Sequence, residues 1–293
     1  MATRVLVLGG TGMLGHTLLS EFEHVESVEV HGAVRTLGLL EHALSADLLK
    51  RVASGVDAMD IEAVRALLRD VKPHVVVNCV GVIKQDARIS DAISTIKVNS
   101  LFPHILAREC VEIEARLIHV STDCVFSGDR GNYVEEDTPD PTDFYGRSKL
   151  LGELTSAPAL TLRTSIVGHE LGSTRSLVDW FLSQSGMVNG YTRAIYSGVT
   201  TTEFARILSS VVFPSKQLTG LLHVASDPIS KYELLRLVAS EYEWRGTLVP
   251  FPGYACDRSL SAKAFHSLTD YRAPSWAQMI KAMHDSKPML QMP

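Results

Sequence analysis

At 293 residues and 45% hydrophobic content, the chain can bury a large core, enough for one large or two modest domains. Its net charge of −5 leaves no basic excess for a nucleic-acid backbone, and no apolar run approaches the ~20 residues of a membrane helix. Four widely spaced cysteines (Cys79, Cys110, Cys124, Cys256) without a C-x-x-C fit a reduced interior, and the eleven histidines show no ligand spacing, so no metal is expected. The opening MATRVLVLGG runs straight into an apolar strand rather than a secretory signal, so a cytoplasmic location without membrane or nucleic-acid partners is expected.

In chain order, Val5 to Leu8 reads as a buried parallel strand, followed by helical spacing at Met13, Leu14, Leu18, Leu19 and Phe22. Between them lies a glycine-rich turn. Gly10, Gly12 and Gly15 satisfy G-x-G-x-x-G, and Gly9, Gly12 and Gly15 satisfy the version spaced by threes. Such a turn lets backbone amides approach a pyrophosphate, and the helix that follows presents its positive dipole end. Gly9, Gly10, Thr11, Gly12, Met13, Leu14 and Gly15 are therefore candidate cofactor contacts.

Val28 to His31 reads as a second strand, and Ile61, Val64, Leu67 and Leu68 as a helix. HVVVNCVGVI from His74 is the clearest buried strand; it ends at Cys79, Val80 and Gly81, where a missing side chain would admit a cofactor. Val98 to Cys110 should be helix, Arg116 to Val120 strand, Asp143 to Leu154 helix and Ala159 to Arg163 strand. Thr164 and Ser165 follow that last strand, near where the nicotinamide of a cofactor is expected to sit. Later helices are expected at 176–183, 202–212 and 231–242. Alternating strands and helices imply an α/β fold, a doubly wound parallel Rossmann sheet with a smaller, interleaved C-terminal substrate lobe. Residues 1–168 should form the dinucleotide-binding domain, with roughly 195–224 returning to it, and 169–293 mainly the lobe. Trp180 and Phe181 have core spacing.

Tyr145 and Lys149 stand four apart, which puts a phenol and an ammonium on one helix face. A nearby positive charge would bring a phenol with a pKa near 10 toward the working range, as proton transfer to a carbonyl requires.

Three segments, GGTGMLG, HVSTDCVFSG and YGRSKLLGE, resemble the extended short-chain dehydrogenase/reductase superfamily. The run from Ser121 to Glu153 is similar to dTDP-4-dehydrorhamnose reductases and related nucleotide-sugar 4-ketoreductases, and likeness extends over nearly the whole chain. The resemblance implies a catalytic trio of Thr122, Tyr145 and Lys149, with Lys149 also holding the nicotinamide ribose. It implies adenine contacts at Asp57 and Ala58, a supporting Asn99, and substrate contacts at Thr122, Asp123, Cys124 and Arg258. Lys84, Arg175 and Arg193 are weaker cation candidates. Two positions depart from the pattern: Cys124 replaces a usual tyrosine and Ile166 a frequent tryptophan, so the sugar pocket is expected to differ. The Cys124 thiol is expected to pack rather than react.

At the end of the second strand Arg35 is available and no carboxylate is, which favours the 2′-phosphate of NADP(H) over NAD(H). Glu29 would be the ribose ligand if that strand ended earlier. The expected activity is NADPH-dependent reduction of a 4-keto nucleotide-activated deoxysugar for polysaccharide or glycoside precursors. An epimerase or dehydratase with bound NAD, and a non-catalytic NADP-binding regulatory subunit, are the rivals. A homodimer is the default assembly among such relatives.

Overall fold

The computed structural model describes residues 2–286. Its first strands are β1 (Thr3–Leu8), β2 (Val28–Ala33), β3 (Val52–Ala53), β4 (Val75–Asn78), β5 (Arg116–Thr122) and β6 (Leu160–Thr164). Then come β7 (Ile166–Val167), β8 (Met187–Tyr196), β9 (Val199–Thr200), β10 (Gly220–His223), β11 (Ile229–Ser230) and β12 (Thr247–Asp257). Seven of these make one parallel sheet in the order β10-β6-β5-β4-β1-β2-β3. The order reverses between β1 and β4. In doubly wound sheets that reversal opens a crevice at the carboxyl ends of the strands.

Strand alternation explains why both sheet faces are covered. Val5, Val7, Val75, Val77, Ile118, Leu160 and Leu162 enter one core. Leu6, Leu8, Val76 and Leu117 enter the other, with Leu67, Leu68, Phe102 and Leu106 from the covering helices. The first core continues without a break into Phe181, Tyr196, Leu234, Trp276 and Met279 beyond the sheet. There β11, β8 and β12 form a second sheet, and β7 pairs with β9. The chain returns to the main sheet once more, as β10 beside β6.

Element boundaries differ from the sequence expectation for local reasons. β4 stops at Asn78, whose Oδ1 accepts the Val80 amide at 3.1 Å, so Cys79 to Gly81 lie in the loop beyond it. The expected helix from Val98 begins as a π-helical stretch, Ile96–Leu101, and becomes regular at Phe102–Glu112 with Pro103 in its first turn. The Tyr145 helix covers only Phe144–Leu150. Asp143 caps it by accepting the Gly146 amide at 2.8 Å, and beyond it the backbone at Gly152 runs hard against the Asn99 carbonyl. Phe181 is core, as its spacing implied, but Trp180 is 40% exposed because the helix Leu177–Ser183 turns that flank outward.

Beneath the carboxyl ends of β5 and β6 lies a polar layer. Arg163 bonds the Glu153 carboxylate at 2.7 and 2.8 Å, and Ser121 Oγ adds a bond at 2.6 Å. Both charged side chains are under 5% exposed. Arg163→Met strands the carboxylate and should cost about 3–5 kcal/mol in urea denaturation. Glu153→Leu with Arg163→Met should recover much of that loss; a double variant as unstable as the single would refute the pairing argument.

Candidate active site

The glycine turn is built for close approach. Gly9 has φ +84°, and its carbonyl would sit 2.1 Å from a Cβ at Gly15, so only glycine at 15 brings the helix Met13–Glu23 onto the turn. The amides of Gly9 and Gly10 both donate to the Ala33 carbonyl, at 3.1 and 3.2 Å. Gly12 is the N-cap and supplies no side-chain cap, so the first-turn amides, which have no intrahelical acceptor, face outward beside exposed Thr11. Met13 is half-buried. Leu14 sends its side chain into the core, so it can serve a ligand only through its amide.

Arg35 is exposed two residues past the end of β2, and its carbonyl accepts the Gly55 amide at 3.1 Å. That bond draws the loop after β3, with Asp57 and Ala58, beside it. Asp57 Oδ1 is turned to the Met59 amide at 2.8 Å, and Ala58 packs on the second core. Glu29 is no alternative ligand: it lies near the amino end of β2, opposite Arg4, and bonds His31 at 2.9 Å.

Cys79 and Val80 abut Gly9, where a Cβ would meet their backbone at 3.1 Å. Burial pushes the Cys79 thiol up to about 12. At Gly81 the protein itself leaves room, the nearest atom to a Cβ being Asn99 Oδ1 at 3.5 Å. Asn99 is not free to hold a cofactor. Its Oδ1 accepts the Val82 amide at 2.8 Å, and its Nδ2 donates to the Val82 carbonyl at 2.9 Å and Ser148 Oγ at 3.0 Å. It latches the loop after β4 to the Tyr145 helix.

Thr122 ends β5 opposite Thr164, and its hydroxyl accepts the Cys124 amide at 3.1 Å. It donates to Asp123 Oδ1 at 3.2 Å and lies close enough to the Tyr145 phenol to favour its ionised form. The two side chains are therefore neighbours. Lys149 lies below them, with Nζ donating to the Val120 carbonyl at 2.8 Å. The expected lowering of the phenol pKa by Lys149 is not what the structure shows. Burial pushes the phenol above its usual value, Cys124 and the Asp123 and Asp143 carboxylates add to this, and Thr122 opposes. The ammonium is engaged by a main-chain oxygen, and its own pKa is depressed by burial to about 8, against the pull of Glu153.

On the other side of Thr122, Asp123 is buried and its carboxyl pushed up by burial, with Arg258, Cys124, Thr122 and Ser165 opposing. Ser165 stands close enough to Asp123 to act on its carboxyl, while Thr164 is buried with Oγ1 near the Ser165 carbonyl at 3.3 Å. Arg258 donates from Nε to the Phe126 carbonyl at 2.8 Å and from Nη1 toward Cys124 Sγ at 3.7 Å. Burial pushes the Cys124 thiol up to about 12, which suits packing and not a thiolate. Lys84 belongs here too: it pairs with the Asp143 carboxylate and its charge reaches Cys124 and Arg258. Sequence gave it little weight, because only the loop's path brings it here. Tyr196 was missed entirely; its hydroxyl is buried, without a hydrogen-bond partner among the described residues, and close enough to feel Asp123. Arg175 and Arg193 are exposed.

Two features lie outside this constellation. A cavity of about 180 Å³ lined by Cys110, Leu117, Leu154 and Pro158 opens at the amino ends of β5 and β6, the edge opposite Tyr145. Glu241, His284 and Asp285 place ligand atoms within 4.8 Å of one another across two helix ends, an arrangement no sequence spacing reveals, though Asp285 is already bonded to Lys281 at 3.1 Å.

The depressed Lys149 makes a prediction. Between about pH 8 and its ordinary 10.5, the unfolded chain holds a proton there that the folded chain has released, so this group's contribution to stability rises with pH. Thermal unfolding of Lys149→Met should lack that rise; an unchanged slope would place the ammonium in water.

The RmlD substrate binding domain family matches residues 3–285. Methionine adenosyltransferase 2 subunit beta of Rattus norvegicus is 34% identical over 51% of this chain and 41% of its own length, so the chain spans under half of that relative. The Danio rerio subunit is 28% identical over 82% of this chain and 74% of its own. A probable low-salt glycan biosynthesis reductase of Haloferax volcanii is 34% identical over 58% and 60%. Among solved structures, dTDP-4-dehydrorhamnose reductase from Bacillus anthracis in complex with NADP superposes with a TM-score of 0.79 at 20% identity, covering 98% of this chain and all of that one. A dTDP-glucose 4,6-dehydratase of the same organism, in complex with NAD, gives 0.76 at 14% identity over 98% and 97%. With a parallel Rossmann sheet, a glycine cradle and the Thr122–Tyr145 pair at its carboxyl edge, the chain belongs to the RmlD substrate binding domain family.

Proposed function

We propose that this protein is an NADPH-dependent reductase of a 4-keto nucleotide-activated deoxysugar, acting in the cytoplasm on precursors of surface polysaccharides or glycosides. The observation that carries this is that Thr122 and the Tyr145 phenol are neighbours at the carboxyl edge of the sheet that also carries the Gly9–Gly15 cradle. The cradle fits a dinucleotide: first-turn amides and a close-packed glycine turn for the pyrophosphate, and exposed Arg35 for a 2′-phosphate. A nicotinamide cofactor bound there would supply the hydride to C4. Thr122 and Tyr145 would donate hydrogen bonds to the keto oxygen, and Tyr145 would pass it its proton. A phenol held neutral by burial is in the right state for that direction of transfer. Lys149, in the layer below, would hold the ribose and restore the proton.

The named relatives support the reading from two sides, one a reductase in complex with NADP and one a probable glycan biosynthesis reductase. No helix among the described residues is long and apolar enough to cross a membrane. A second reading, a regulatory subunit that binds NADP without turnover, is favoured by the likeness to methionine adenosyltransferase subunit beta over 82% of the chain.

The deciding assay is NADPH oxidation with dTDP-, UDP- and GDP-4-keto-6-deoxyhexoses. Net oxidation is expected, and Tyr145→Phe should lose on the order of 10²–10⁴ of it. Turnover without net NADPH loss would point to an epimerase or dehydratase; binding of NADPH with no turnover would favour the regulatory subunit. If NADH gives the higher kcat/KM, the reading of Arg35 is wrong. Gly12 and Gly15 separate ligand from fold. A Cβ at Gly12 meets only the Gly9 carbonyl, at 3.4 Å, whereas at Gly15 it would lie 2.1 Å from that atom. Gly12→Ala should keep its Tm and lose NADPH affinity, while Gly15→Ala should lose both; equal NADPH binding by wild type and Gly12→Ala would remove the cradle from the site.

A further inference from the structure

Loops at the carboxyl edge of the main sheet join one another in a ring around the crevice. The loop after β3 is tied to the loop after β2 by the Gly55 amide, which donates to the Arg35 carbonyl at 3.1 Å. The segment after β4 meets the loop after β3, where Ser94 Oγ reaches Met59 Sδ at 4.0 Å. At the same junction Asp86, with Asp57 behind it, favours the charged Arg88 guanidinium against burial. Arg88 bonds Asp86 at 3.1, 3.0 and 2.5 Å and holds its carboxyl down at about 2, and the charge of Arg175 adds to this.

Arg175 belongs to the loop that closes the ring from the far side. β6 and β2 are four strand spacings apart, about 19 Å, with β5, β4 and β1 between them. The chain leaves β7 at Val167, and at most ~17 Å of chain later Gly172 lies against Leu39, beyond the end of β2. The segment is therefore drawn almost straight across the reversal between β1 and β4. It runs beside the first turn of the helix Met13–Glu23, where the charges of His169, Asp179 and Glu170 reach His16.

The crossing is braced from within and fastened at its tip. Glu170 Oε2 accepts Ser173 Oγ at 2.5 Å and the amides of Arg175 and Ser176 at 2.8 and 3.0 Å. Leu171 at one foot and Leu37 at the other pack on the first core. At the tip, Gly172 has φ +69°, and a Cβ there would lie 2.0 Å from Leu39 Cδ1, so only glycine lets the two loops touch. Leu39 itself is 42% exposed. The fastening is thus a surface contact between two anchored loops, the weakest link in the ring.

A dinucleotide that runs from the glycine turn to Arg35 has to lie beneath that crossing. We propose that residues 170–176 form a strap that gates the cofactor crevice, with Leu39 against Gly172 as its latch, so that a dinucleotide enters and leaves only when the latch opens. This rests on the reductase reading, in which oxidised cofactor must leave and NADPH replace it in every turnover. Opening of such a strap is then a step in the cycle.

Stopped-flow NADPH fluorescence with the whole chain tests this. Leu39→Ala trims the latch at an exposed position. It should raise the rates of NADPH binding and release together, each by about tenfold, the scale of one partly buried leucine side chain, and leave Kd and Tm near wild type. Glu170→Ala, which removes the brace, should raise both rates as well. A joint rise in either variant supports the gate; unchanged rates in both overturn it. Faster release with an unchanged binding rate also overturns it, since the loop would then be a cofactor contact. If the wild type binds neither NADPH nor NADH, the dinucleotide reading itself fails, and the gate with it.

Discussion

The position of the Tyr145 helix depends on a near-collision of backbones. A side chain at Gly146 would put its Cβ 2.2 Å from the Cys124 carbonyl, and one at Gly152 would lie 2.0 Å from that of Asn99. With neither present, the helix settles against the end of β5 on one side and the π-helical stretch on the other. Contact at that range brings the phenol to the Thr122 hydroxyl. Asn99 then fixes the third wall, because its amide spans the loop after β4 and Ser148. An irregular helix that carries its polar residue inward at a site is a familiar use of a π-turn.

Charge around this point is arranged in layers. The uppermost holds Asp123, Cys124, Arg258 and Lys84, where Arg258 offsets the buried Asp123 carboxyl and Lys84 pairs with Asp143. Below the phenol, Lys149 rests on a carbonyl. Deeper still, Glu153 is neutralised by Arg163, which also reaches His223 at 3.3 Å. The Glu153 carboxylate both anchors the sheet end and raises the proton affinity of Lys149 against burial. Removing that carboxylate would therefore alter stability and the Lys149 charge together.

The two halves of the molecule contribute different things. The main sheet supplies the glycine-turn amides and Thr122, all at strand ends where backbone groups are free to face a ligand. The smaller sheet supplies Arg258 and Tyr196, and one continuous core ties it to the first. Where the resemblance implies a tyrosine, Cys124 leaves a thiol against which Arg258 packs, and burial keeps that thiol from acting as a nucleophile.

Much of this was written locally in the chain. The glycine turn, the alternation of valines and leucines that covers both sheet faces, and the four-residue step from Tyr145 to Lys149 are short-range patterns, and backbone geometry alone converts them into structure. The sequence also gave Thr122 its place at a strand end. It could not give the ammonium's orientation, since the competing acceptor, the Val120 carbonyl, lies 29 residues away. Nor could it show that Asn99 is spent on Val82 and Ser148, or that Lys84 and Tyr196 gather around residues distant in the chain. Those outcomes depend on loop paths and sheet register, where burial and long-range hydrogen bonds outweigh any local preference, so tertiary structure alone decided them.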